Sequence, residues 1–197
     1  SPLEFAATAI EAGAGGITVH PRPDQRHIRV TDCYDLASSL AVEFNLEGNP
    51  FAPRMPSDRD GIATYPGFMA LVEATRPAQV TLVPDTNAQL TSDHGFDLSQ
   101  DAERLVPIIA SLKAMGCRVS LFMDPEPKSM SAAAEIGADR VELYTESYAV
   151  AHAAGHFERV LCQFSEAAVA AHDAGLGINA GHDLNLTNLP DFTIPHL

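Results

Sequence analysis

The chain has 197 residues, 46% of them hydrophobic and 19% charged, which is ordinary for a folded domain and excludes a disordered one. Twenty-six acidic residues against 12 basic ones leave a net charge of −14, a field that repels nucleic acid and anionic membranes. No apolar run approaches the roughly 18 residues of a membrane span, and no signal peptide opens the chain. The three cysteines (Cys33, Cys117, Cys162) form no CxxC pair, which disfavours a disulfide framework or a cysteine zinc site, and the cytoplasm is the expected compartment.

Taken in chain order, an alanine-rich segment with helical periodicity at 2–12 comes first, followed by a β-branched run at 17–20, ITVH. A helix at 31–40 has Thr31 and Asp32 as candidate caps, and a strand at 42–47, VEFNLE, comes next. The stretch 48–63 holds three prolines and several charges, and reads as a lid or an insertion rather than a linker. Helix 67–75, strand 80–84 (VTLVP), helix 102–115 and strand 119–124 (VSLFMD) continue the pattern. Helix 129–136, strand 141–145 (VELYT), helix 157–174 and strand 177–182 (GINAGH) complete it. Four of these helices stop at a glycine (Gly13, Gly116, Gly137, Gly175), the left-handed stop expected where a helix turns into a strand.

Strict strand–helix alternation predicts parallel strands, because parallel neighbours need a crossover connection. Near-continuous apolar strands predict burial on both faces. An open doubly wound sheet and a (β/α) barrel both fit. No GxGxxG or P-loop follows the first strand, so a nucleotide-binding sheet loses ground.

The strand ends carry the chemistry. His20, Glu47, Asp124 and His182 close four strands, and the fifth holds Glu142 with Thr145 and Glu146 after it. In a barrel these ends converge on one face, where active sites lie. His20 suits a general base near neutrality, and Arg22 and His27 in the loop behind it suit phosphate. Alternation places Glu43, Asn45 and Glu47 on one side of their strand, as a self-satisfying polar network or as a carboxylate base beside a histidine. A metal set drawn from His20, Glu47, Asp124, Glu142 and His182 is conceivable, but no HxH or HExxH pair anchors one. Lys113 and Lys128, the only lysines, sit away from strand ends, which disfavours Schiff-base catalysis. His94, His152, His156, His172 and His196 read as surface or loop residues.

Three motifs together, ITVHPRPDQRHI (17–28), NLE (45–47) and INAGHDLN (178–185), resemble the pyridoxine 5'-phosphate synthase family. LVPDTNAQLTSDHG (82–95) and VSLFMDPEP (119–127) extend the resemblance over essentially the whole chain. The resemblance implies a (β/α)8 TIM barrel that assembles into an octamer from dimers. It implies condensation of 1-deoxy-D-xylulose 5-phosphate with 3-amino-2-oxopropyl phosphate to pyridoxine 5'-phosphate, phosphate and water, with no cofactor and no metal. By that resemblance His20 and Glu47 accept protons, His182 donates one and Glu142 stabilises a transition state. Arg22, His27 and Thr91 match positions that hold the deoxyxylulose phosphate, and Asp183 a backbone contact to the other phosphate.

The family opens with a strand bearing an Asn-x-Asp-His signature and closes with one bearing Gly-His, and neither is present among these residues. By family order the chain holds strands two to seven of eight, a single incomplete barrel domain over 1–197. Its start at Ser1 reads as a piece of something longer. The competing readings are a phosphosugar isomerase or epimerase on the same barrel, and an inactive fragment that only binds phosphate ligands.

Overall fold

A computed structural model describes residues 1–57, 59–86, 89 and 91–197. The chain divides into two compact units. The first comprises Ser1–Thr91 with Ser111–Arg118, and the second Ser92–Ala110 with Val119–Leu197.

The first unit runs α1 (Pro2–Glu11), β1 (Gly16–Val19), α2 (Val30–Ser39), β2 (Glu43–Gly48), α3 (Phe68–Thr75) and β3 (Gln79–Leu82). Its strands are parallel and neighbours in chain order, with Ile17 opposite Phe44 and Leu46 opposite Val80. Leu46, Val80 and Leu82 have no exposed surface, nor do Leu36 of α2 and Leu71 and Val72 of α3. This continuous apolar packing is what strands covered on both faces require. Within α2 the start differs from expectation. The helix begins at Val30, so Asp32 occupies its third position and accepts from the Arg29 backbone N–H at 2.7 Å, while the Gln25 side chain accepts from Val30 at 3.1 Å. Capping is thus supplied from behind and from inside the first turn rather than by Thr31.

The long loop after β2 is neither free nor a linker. Met55 and Tyr65 form an antiparallel bridge with 2.9 Å bonds in both directions, and Tyr65 is 1% exposed. Arg59 donates to the carbonyls of Asp24 and Gln25 at 2.6 and 2.7 Å, and the Gln25 amide donates to Ala63 at 2.6 Å. The loop is strapped across the segment that follows β1.

In the second unit the order is most of α4 (Leu98–Ala114), β4 (Arg118–Met123, from Val119), α5 (Met130–Glu135), β5 (Arg140–Leu143), α6 (Glu146–Ala153), α7 (Glu158–Asp173) and β6 (Gly177–Ala180). Strands β4, β5 and β6 pair in parallel in chain order, with Leu121 opposite Val141 and Val141 opposite Ile178. Helix α7 packs on β6, and its Ala167, Ala168 and Ala171 are fully buried. The four glycine stops hold positive φ, 103° at Gly13, 85° at Gly116, 95° at Gly137 and 83° at Gly175.

Helix α6 escapes the periodicity reading because it is only eight residues long and three-quarters of its sequence is alanine, polar or charged in no fixed stripe. Its cap is also disguised, since the Thr145 hydroxyl donates to the His182 carbonyl instead of capping the helix. The observed β6 likewise ends at Ala180, so Gly181 and His182 belong to the loop beyond it. Within each unit, parallel strands paired in chain order and connected through helices make this an α/β fold.

Candidate active site

In the first unit β1 ends at Val19 and delivers His20 to the rim, while β2 presents Glu47 one residue before its own end. Parallel registration places these strand ends side by side, and the His20 Nδ1 lies 3.2 Å from Glu47 Oε1. The other ring nitrogen, Nε2, lies 3.7 Å from Asp85 Oδ2. Asp85 in turn pairs with the Arg22 guanidinium through Nη2. All four side chains are largely enclosed, at 20% exposure for His20, 14% for Glu47, 10% for Arg22 and 5% for Asp85. Burial weakens solvent screening, so these charges act on each other far more strongly than surface pairs do.

The surrounding groups fix this cluster. Asn49 donates to the Asp85 carbonyl at 2.5 Å, and Arg22 and Arg26 donate to the Gln89 carbonyl at 3.4 and 2.6 Å. The result is a cavity of about 220 Å³ lined by His20, Arg22, Arg26, Asn49 and Asp85, with Phe51, Pro53 and Met55 of the strapped loop closing it. An imidazole and two guanidiniums in a small enclosed space suit a phosphorylated ligand, since guanidinium matches phosphate oxygens bidentately. The loop therefore serves as a wall of this cavity, in keeping with the lid reading.

Two further expected contacts lie elsewhere. His27 is exposed and borders a second, mostly apolar cavity of about 500 Å³ with Phe5, Ala6, Ile17 and Val19. Thr91 is exposed and does not line the His20 cavity, and its preceding neighbour Leu90 lies outside the described residues.

In the second unit Glu142 sits half-buried in β5, in register with Phe122 and Asn179. One carboxylate oxygen would stand 4.0 Å from a Cβ at Gly181, so the missing side chain there leaves room beside Glu142. His182 packs its ring against Tyr144 at 5.2 Å, edge to face, and against Phe122 at 5.8 Å. Its Nδ1 lies 2.7 Å from the Asp183 carboxylate. Asp183 adopts φ 61°, a left-handed conformation that glycine accepts without strain, and its carbonyl accepts from Asn188 at 3.1 Å. Burial, then the Glu146 hydrogen bond and the charges of Glu146, Asp183 and Asp93, push the Tyr144 phenol well above its usual range.

The structure thus brings His20, Arg22 and Glu47 together in one unit and Glu142, His182 and Asp183 together in the other. Asp124 accepts from the Gly95 backbone at 3.3 Å, a tie within its own unit. Among the described residues no group of three or more His, Cys, Asp or Glu side chains is arranged to hold a metal ion. His152 departs from a simple surface role, because it pairs with Asp191 at 2.9 Å and packs on Phe157. Asp85 is the functional neighbour that a strand-end criterion passes over, since the apolar run stops at Pro84 and the acid comes one residue later. Tyr144 is hidden likewise, as an aromatic that directly follows the buried strand β5.

Comparison with known proteins follows the same pattern. The family model described as pyridoxal phosphate biosynthesis protein PdxJ matches residues 1–197. A protein of Xanthomonas campestris pv. campestris (strain B100) named pyridoxine 5'-phosphate synthase is 56% identical over 193 residues, covering 96% of this chain and 73% of that protein. A protein of the same name from Xylella fastidiosa (strain M12) is 52% identical over 194 residues, covering 96% and 72%. Among solved structures, a D-psicose 3-epimerase crystallised in the presence of D-fructose aligns with a TM-score of 0.47 at 11% identity, covering 90% of this chain and 78% of that one. With a family model matched from end to end and curated relatives more than half identical, the chain belongs to the PdxJ family of pyridoxal phosphate biosynthesis proteins.

Proposed function

We propose that this chain makes pyridoxine 5'-phosphate, as the names of its relatives indicate, by condensing 1-deoxy-D-xylulose 5-phosphate with 3-amino-2-oxopropyl phosphate and releasing phosphate and water. The observation that carries the reading is the cavity lined by His20, Asp85 and the guanidiniums of Arg22 and Arg26, with the Glu47 carboxylate against the His20 ring. The chemistry asks for such groups. Amine and ketone join to an imine, phosphate and water leave, and a carbon–carbon closure precedes aromatisation. Each step moves a proton, so several acid–base groups are needed. The substrate brings its own amine, and no enzyme lysine is required.

In this reading Arg22 holds the phosphate of the deoxyxylulose substrate. His20 and Glu47 take protons from carbon and nitrogen atoms during ring closure, and Glu47 faces the His20 Nδ1 so that the ring can stand with Nε2 as its basic atom. His182 donates a proton to the departing oxygen, with its ring held by Tyr144 and Phe122. Glu142 stabilises positive charge as it develops, and the backbone at Asp183 contacts the second phosphate. The protein works in the cytoplasm as a homo-oligomer, an octamer built from dimers, on small phosphorylated substrates.

Incubation of the purified chain with both substrates tests the activity. Pyridoxine 5'-phosphate and inorganic phosphate should appear in equal amounts. Conversion of a single sugar phosphate without phosphate release would instead identify an isomerase or epimerase, and ligand binding without turnover a binding relic. Light scattering of the same sample reads the assembly.

A further inference from the structure

Asp85 has no assigned part in this chemistry, yet it is the most enclosed charge of the cavity, with a side chain 5% exposed. It follows β3, and its position is set by its own backbone as well as by its side chain, because Asn49 of the neighbouring β2–α3 loop donates to its carbonyl at 2.5 Å. One of its carboxylate oxygens, Oδ2, meets both the Arg22 Nη2 and, at 3.7 Å, the His20 Nε2. A buried carboxylate that touches a guanidinium does not sit there for stability alone, since an apolar replacement is often as stable. What it does supply is orientation. Arg22 is a long side chain with several rotatable bonds, and phosphate recognition needs its fork held in one plane. Asp85 pins one end of the fork, and the Gln89 carbonyl, 3.4 Å from Nη1, lies at the other.

We propose that Asp85 is a positioning residue that aims Arg22 at the phosphate of the deoxyxylulose substrate and, through the same oxygen, sets the rotation of the His20 ring. The inference rests on the substrate assignment made above for Arg22. It goes beyond that assignment by giving the arginine a fixed partner whose loss is felt through Arg22 and not by direct contact with the ligand.

The consequence is a specific pattern of coupling. Neutralising Asp85 releases the fork while leaving its charge, so affinity falls for the substrate that Arg22 holds and not for the other. With lysine at position 22 there is no fork to aim, and the same neutralisation then has little left to remove.

The test is a double-mutant cycle on Asp85→Asn and Arg22→Lys, read as KM and kcat for each substrate in turn, with Asp85→Glu as the conservative variant. Wild-type turnover is measured first. If the wild type forms no pyridoxine 5'-phosphate from the two substrates, the reading of function fails and not the role of Asp85. Given turnover, Asp85→Asn should raise the deoxyxylulose phosphate KM by about tenfold or more and leave the amino-ketone KM within about twofold. In the Arg22→Lys background the same change should move the first KM by less than about twofold. Asp85→Glu, which keeps the charge on a longer arm that displaces the fork, should raise the deoxyxylulose phosphate KM less than Asp85→Asn does but still measurably, with the amino-ketone KM unchanged. Unchanged KM values in Asp85→Asn would overturn the proposal. So would an equal rise in both, or full additivity with Arg22→Lys. Should Asp85→Asn fail to fold, Asp85→Glu decides. It shifts the deoxyxylulose phosphate KM selectively if the proposal holds, and shifts both or neither if it does not.

Discussion

His20 in the first unit has a carboxylate oxygen near each ring nitrogen, 3.2 Å away at Glu47 and 3.7 Å at Asp85, whereas His182 in the second is walled by Phe122 and Tyr144 and touches one carboxylate, Asp183. The first histidine is held by charge, and acceptors already stand where a proton arriving on its ring would need them. The second is held by ring packing, with its Nδ1 engaged by Asp183. The two regions also fail differently. Charge-held groups lose function when a single atom changes, and shape-held groups lose it when volume is removed.

The sharpest way to break that contrast is Glu47→Gln, which keeps shape and some hydrogen bonding but cannot take a proton. Turnover should fall about 10²–10⁴-fold with substrate binding largely intact. Near-complete turnover in that variant would remove Glu47 from the base role. Next in size is Tyr144→Ala, which empties one wall around His182. Truncating a buried aromatic costs about 3–5 kcal/mol, so the melting temperature should drop sharply, while Tyr144→Phe stays close to wild type. Equal melting of the Ala and Phe variants would mean that the hydroxyl, and not the ring, supports His182.

Third, Arg22→Lys should raise the deoxyxylulose phosphate KM by about tenfold or more, as expected for loss of a charge-assisted contact of about 1.5–3 kcal/mol, with the amino-ketone KM little changed. If both KM values stay where they are in steady-state kinetics, the loop after β1 does not hold the sugar phosphate.

The smallest effect is alkaline. Burial, first among its causes, raises the Tyr144 phenol, and burial likewise raises Tyr148 in the same unit and Tyr65 in the other, while the Cys33 thiol is pushed up to about 12. A group raised in the folded state keeps its proton there after the unfolded chain has lost it. Its stabilisation is complete below the unfolded phenol value of about 10 and declines as pH rises through the folded value. Melting temperatures should therefore hold steady to about pH 9 and fall beyond, and Tyr144→Phe should soften that fall. An identical alkaline profile in the variant would show that Tyr144 does not contribute.

Much of this was legible in the residues themselves. Apolar runs with short period, alanine-rich helical segments and glycine stops located every strand and every long helix, because local sterics and burial on both faces leave few other readings. Strand-end chemistry likewise pointed to His20, Glu47 and His182, since a titratable side chain after an apolar run is conspicuous in one dimension. The short helix α6 was not legible, because its capping threonine is engaged by the His182 carbonyl 37 positions away.

Asp85 was invisible for the same kind of reason. Nothing local distinguishes it from any loop acid until β1, β2 and β3 line up in parallel register and bring it against Arg22 and His20. The family, the alternation of strands and helices, and the residues that carry charge follow from the sequence, because composition, spacing and motif are local properties. Which carboxylate meets which nitrogen, which loop walls a cavity, and why His27 borders a different one from Arg22 were decided by tertiary structure. Those depend on register and on the path of loops between strands, and both are set by long-range packing.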